Sequence, residues 1–134
     1  MENADSFLKK AASFHGHLGP HLVLGLKMGL LAKHLLKGDP FSMRAEIHTQ
    51  KTPPQSCILD GIQFSSGCTL GKGNIKVKED SEIYGIFFKD SKKIMIRANP
   101  HIITDIKKIP RENLEECAYN LFTMKDDELF DVVS

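Results

Sequence analysis

Two short segments of this chain hold the residue types that chemistry needs. Phe14-His15-Gly16-His17-Leu18-Gly19-Pro20 places two imidazoles around a glycine. Further along come Cys57 and Asp60, then Gly67-Cys68-Thr69-Leu70-Gly71-Lys72-Gly73-Asn74. Imidazoles, thiols, a carboxylate and a glycine-rich loop suit a metal ion or a reactive small molecule. A fold that brings the two segments together makes a site of them.

Read as an extended segment, His15 and His17 point to the same side and can face one ion. Gly16 between them permits a close backbone approach or a positive φ. The plainer alternative is a pair of solvated loop histidines. Cys57 and Asp60 stand at i, i+3 and share a helix face. Ten residues separate Cys57 from Cys68, which is neither the CxxC knuckle of structural zinc nor a redox CxxC. Each cysteine alone also reads as a small core hydrophobe. Cys117 falls on an apolar helical stripe and is assigned to the core. The loop Gly67, Thr69, Gly71 and Lys72 offers a nest of backbone N–H groups beside a lysine, or simply a glycine-rich connection. It fails the Walker A spacing. His21 points elsewhere along its helix start, and His34 and His48 face outward.

The elements that must position these groups follow from periodicity and breakers. Residues 4–14 read as a helix with Asp5 or Ser6 as cap. Pro20 opens a long helix, with Leu22, Val23, Leu26, Leu30, Leu31 and Leu35 at helical spacing and Lys27, Lys33, His34 and Lys37 across from them. Gly38-Asp39-Pro40 stops it. Met43 to Thr49 alternates as a half-buried strand. Thr52-Pro53-Pro54 opens a second helix that runs to about Ser65. Strands are expected at Ile75–Lys78, Ile83–Lys89 and Lys93–Ala98, with turns rich in Asp and Ser. Leu114, Cys117, Ala118, Leu121 and Phe122 mark a helix, and a last helical turn is expected over Glu128–Val133. Gly25 and Gly29 indicate close packing of the long helix against the sheet, or a helix crossing at a dimer interface. Strands grouped in a run give α+β: a helix-strand-helix-three-strand core with a mixed or antiparallel sheet, helices packed on it, and C-terminal helices.

The chain has 134 residues, 41% hydrophobic and 26% charged, with net charge +1, so one ordinary globular domain over residues 1–134 is expected. Such a balance creates no field for nucleic acid or an anionic membrane. Met1 to Asp5 is acidic and precedes no apolar run, so a signal peptide is not expected. Three cysteines argue against a disulfide framework and for a reducing cytoplasm.

The three motif pieces together resemble the FmdE family of formylmethanofuran dehydrogenase proteins. Its pattern is approximately FHGHxCPG, CxxDAIQ and GCTxGKGN. Phe14-His15-Gly16-His17, Cys57-Ile58-Leu59-Asp60-Gly61-Ile62-Gln63 and Gly67 to Asn74 follow it in order. The resemblance implies an α+β core that pairs into homodimers and a metal cleft made from the HGH segment and the two cysteines. Zinc is the expected ion, given mixed nitrogen and sulfur ligands, with His17, Cys57, Cys68 and His15 as the ligand set. Asp60 would orient a ligand from behind. In a catalytic site, Cys68 and Asp60 would be the working residues, Cys68 being the more exposed thiol. Other dehydrogenase subunits or a small molecule are the implied partners. The resemblance thus implies a zinc-dependent enzyme or subunit related to formylmethanofuran dehydrogenase. The alternative is a non-catalytic dimeric binding module with a degenerate metal site. Two departures bear on that choice. The pattern's cysteine after HGHx is Gly19 here, and the CxxC zinc finger of some members has no counterpart.

Overall fold

The computed structural model describes residues 3–134; Met1 and Glu2, part of the acidic start, lie outside them. Helix α1 (Ala4–His15) is capped by Asn3, whose side chain accepts from the Ser6 N–H at 2.8 Å. The cap thus stands just before the expected Asp5 or Ser6. Helix α2 (Pro20–Leu36) starts on proline as expected and ends at Lys37, in the left-handed region at φ 53°.

Strand β1 (Arg44–Thr49) buries Ala45, Ile47 and Thr49 and turns Glu46 and His48 to the opposite face. Helix α3 (Cys57–Ser66) begins later than Thr52. Pro54 disfavours the helical region for Pro53, so Thr52 to Ser56 forms a turn instead. Strands β2 (Ile75–Glu79), β3 (Tyr84–Lys89) and β4 (Lys92–Ala98) follow, then helices α4 (Pro100–Lys107), α5 (Leu114–Thr123) and α6 (Asp126–Leu129). Strand β5 (Phe130–Val133) closes the described chain.

The sheet order is β2-β1-β3-β4-β5. β1 and β2 run parallel, because α3 supplies the crossover that a parallel pair needs. The remaining pairs are antiparallel. The mixed sheet with helices packed on it is the expected α+β class. The expected final helical turn over Glu128–Val133 is a correction: from Phe130 the chain is a strand, with Val133 opposite Met95 and Phe130 opposite Ala98. Alternating Phe130 and Val132 against the β4 edge outweighs weak helical periodicity in so short a segment.

α2 is the central element. It packs on β3 and β4 and also on α3 and α5. Leu22, Val23, Leu24, Leu26 and Met28 are fully buried around its whole circumference. A helix that is apolar all round belongs inside, so the expected two-sided amphipathicity is replaced by near-complete burial. Its glycines explain the approach of α3. A Cβ on Gly25 would stand 2.1 Å from the Ile58 carbonyl oxygen, and one on Gly61 2.2 Å from that of Leu22. The glycines therefore serve close packing, and their partner is α3 instead of the sheet. Lys27 is not a solvated residue either. Its ammonium donates to the carbonyls of Phe122 and Met124 and pairs with Asp126 at 3.8 Å. It thereby satisfies carbonyls left open at the end of α5.

Candidate functional site

α1 ends at His15 because Gly16 takes φ 119°, a left-handed cap whose N–H returns to the Ala12 carbonyl at 2.7 Å. The HGH segment is therefore a helix end and a turn, where an extended strand was expected. The turn still brings the imidazoles together: their ring centroids lie 4.9 Å apart. His15 is drawn inward, its side chain 8% exposed, while His17 remains exposed.

Asp60, in the first turn of α3, reaches His15 Nδ1 at 2.6 Å. A carboxylate only accepts, so Nδ1 carries the proton, and a neutral His15 presents its lone pair at Nε2. That Nε2 is buried and has no hydrogen-bond partner. A carboxylate fixing the far nitrogen of an otherwise free imidazole is the usual support for a metal-ligating histidine.

Beside this pair runs a cleft of about 280 Å³. His17, Gly19, His21 and Cys57 contribute its polar and small groups, and Pro20 and Ile106 belong to its apolar walls. Cys57, at the start of α3, is half-buried; burial and the Asp60 charge push its thiol up from the ordinary value. Without a bound cation it is a thiol at neutral pH. A Cβ on Gly19 would stand 3.0 Å from His17 Nε2, so a side chain at this position meets that ring directly. The missing thiolate is missing at the cleft itself.

Cys68 is elsewhere. α3 spans ten residues between the two cysteines, a length of roughly 15 Å at helical rise. Cys68 is 0% exposed and belongs to the core, with burial pushing its thiol up and its N–H bonded to Ser66 Oγ. The expectation that it is the more exposed thiol is reversed, because the residues around it turn back under Pro40. Gly67 is left-handed at φ 79°, and a Cβ there would meet Pro40. The rest of that loop satisfies itself. Thr69 accepts from the Lys72 N–H and ammonium, Asn74 accepts from the Thr69 N–H, and Gly71 is open to solvent. Gly67, Thr69, Gly71 and Lys72 do not line the cleft.

The donors at the cleft thus comprise His15 Nε2, His17 and Cys57. Among the described residues no three His, Cys, Asp or Glu side chains converge as a ready metal cage. The buried, unpartnered Nε2 and the adjoining thiol suit a soft divalent ion as a partial set, with Gly19 as the gap.

Two features escaped sequence reasoning. α4 forms the second wall of the cleft through Ile106 and Lys107. Asn99 before Pro100, followed by Ile102, Ile103 and Ile106, was the available signal; Asn99 indeed caps the His101 N–H at 3.0 Å. His21 faces the cleft and does not point away from it. Apart from the site, His48 stacks on Tyr84 at 4.1 Å and bonds Glu46 at 2.8 Å on the opposite sheet face.

An α+β domain with an imidazole pair, a carboxylate behind it and a thiol across a groove defines the class of a small metal- or ligand-binding domain. Residues 14–131 match the model of the FmdE family, described as molybdenum formylmethanofuran dehydrogenase operon, and the chain belongs to that family. It is 33% identical over 70 residues to a probable S-adenosyl-L-methionine-binding protein of Archaeoglobus fulgidus, a match covering 51% of this chain and 19% of that protein. The chain therefore matches only about a fifth of that relative's length. In fold it resembles an FmdE-like protein of Syntrophus aciditrophicus, related to tungsten formylmethanofuran dehydrogenase. That likeness has a TM-score of 0.67 at 17% identity, over 96% of this chain and 70% of the other. Among the described residues no helix is long and apolar enough to cross a membrane.

Proposed function

We propose that this chain is an FmdE-family metal-binding domain that holds a soft divalent ion, zinc in the first instance, through an incomplete protein donor set. His15 Nε2, His17 and Cys57 are the donors, Asp60 orients His15, and an exogenous ligand fills the place left by Gly19. The observation that carries the reading is the Asp60–His15 bond, which leaves a buried Nε2 without a partner. A bound zinc would act as a Lewis acid toward a substrate heteroatom or water. Family membership links the domain to formylmethanofuran dehydrogenase proteins, as a component, an accessory or a homodimeric relative. Metal analysis of chelator-free protein, followed by zinc titration, tests the reading. Stoichiometric zinc that weakens at least tenfold in Cys57→Ser supports it; a metal-free protein with no measurable zinc affinity overturns it.

A second reading is a non-catalytic module that binds a small organic molecule in the same cleft. It is favoured by the glycine at position 19 and by the likeness to the Archaeoglobus relative, a probable S-adenosyl-L-methionine-binding protein. Saturable binding of that compound to chelator-treated protein is its direct test.

A further inference from the structure

We infer that the cleft at the start of α2 binds the carboxylate of a small organic acid, with His21 and Lys107 as its anchors. The inference rests on the small-ligand reading of the cleft and requires no metal.

His21 stands in the first turn of α2 and is 5% exposed, yet its Nε2 has no hydrogen-bond partner. A buried polar atom without a partner forfeits its hydration and gains nothing in return, a loss that a ligand in the adjoining cleft would recover. Burial and the Lys107 charge hold the imidazole below its ordinary value, so at neutral pH it is uncharged and donates from whichever nitrogen carries the proton. With the proton on Nε2, the orphan atom is a donor.

The surroundings call for an anion. α2 is 17 residues long and begins at Gly19 with no side-chain cap and no acidic residue in its first turn. Its first intrahelical bond is Val23 N–H to Gly19 O, so the His21 and Leu22 amides have no acceptor within the helix. Positive partial charge therefore collects at the same end of the cleft. Lys107 borders the cleft from α4, and no Asp or Glu lines it among the described residues. The remaining walls, including Pro20, Leu22, Ile106 and Leu114, are apolar. A cationic rim, a buried donor and an apolar chamber of about 280 Å³ complement a carboxylate on a short hydrocarbon body. The family pattern has glycine at the place of His21, so this anchor is a property of this chain and not of the motif.

Amide-resolved NMR titration of the chelator-treated full chain with isobutyrate, and with isobutyramide as the uncharged control, tests the inference. The expected result is saturable shifts at His21, Leu22 and Lys107 with isobutyrate and at least fivefold weaker binding of isobutyramide. His21→Leu keeps the core apolar, and Lys107→Met alters an exposed residue; each should weaken isobutyrate at least fivefold, with His34→Ala unchanged. Equal binding of acid and amide, or isobutyrate binding unaffected by both substitutions, overturns the carboxylate anchor and leaves a ligand cleft. Failure of both probes to bind while S-adenosyl-L-methionine binds overturns the inference alone. No binding of any of the three overturns the inference together with the reading beneath it.

Discussion

Asp60 Oδ2 lies 2.6 Å from His15 Nδ1 and joins two elements forty-five positions apart, the end of α1 and the first turn of α3. Its consequence is chemical: the ring is held with one nitrogen spent and the other free. Asp60→Asn keeps a hydrogen-bond acceptor but removes the charge that favours Nδ1–H. Zinc affinity, read by chelator competition, should fall about tenfold to a hundredfold, as for other residues that support a metal-bound histidine. The melting temperature should change little, since Asp60 is 40% exposed.

Gly19→Cys should raise zinc affinity at least tenfold in the same assay. A Cβ at this position comes within 3.0 Å of His17 Nε2, and the backbone there, at φ -137°, accepts any L residue. The only adjustment is a small rotation of an exposed imidazole. An unchanged affinity would show that the gap at Gly19 is not what limits the site.

Gly61→Ala should destabilise the fold strongly. The added methyl would meet the Leu22 carbonyl oxygen at 2.2 Å and the Leu26 nitrogen at 2.6 Å, both backbone atoms that side-chain rotation cannot relieve. Overpacking of this kind costs about 1–3 kcal/mol or more. Urea unfolding should show a lowered midpoint, and Gly71→Ala, in open space, should serve as the neutral control.

His21 links stability to pH. Its pKa in the folded chain lies below the ordinary 6.5, from burial first and Lys107 second. Below pH 6.5 the unfolded chain takes up a proton that the folded chain does not. Stability is therefore full above that value and declines as pH falls toward the folded pKa. His21→Leu should flatten this decline: the melting-temperature loss between neutral and mildly acidic buffer should be smaller than in the wild type. An equal loss would show that His21 accepts a proton freely in place.

Much of this was legible in the residues. Pro20, Gly38 and the alternation through β1 located α2 and its neighbours, since breakers and a two-residue period leave few readings. The motif pieces were legible too, and His17 and Cys57 do meet at one cleft. What was not legible depends on where elements end in space. His15 and His17 come together through a left-handed Gly16 and not along a strand, which the order His-Gly-His does not distinguish. Cys57 and Cys68 look close in sequence, but the rigid length of α3 lies between them. β5 forms because β4 offers an unpaired edge, a long-range fact absent from Phe130 to Val133 themselves. His21 is buried because α4 covers it, and α4 was not expected.

The most direct test is cobalt substitution, because a thiolate–cobalt charge-transfer band reports which sulfur is at the metal. Wild-type protein loaded with cobalt should show the band, Cys57→Ser should lose it, and Cys68→Ser should keep it. A band that survives Cys57→Ser and disappears in Cys68→Ser, or no band in the wild type, would contradict a metal held at the junction of α1, α2 and α3.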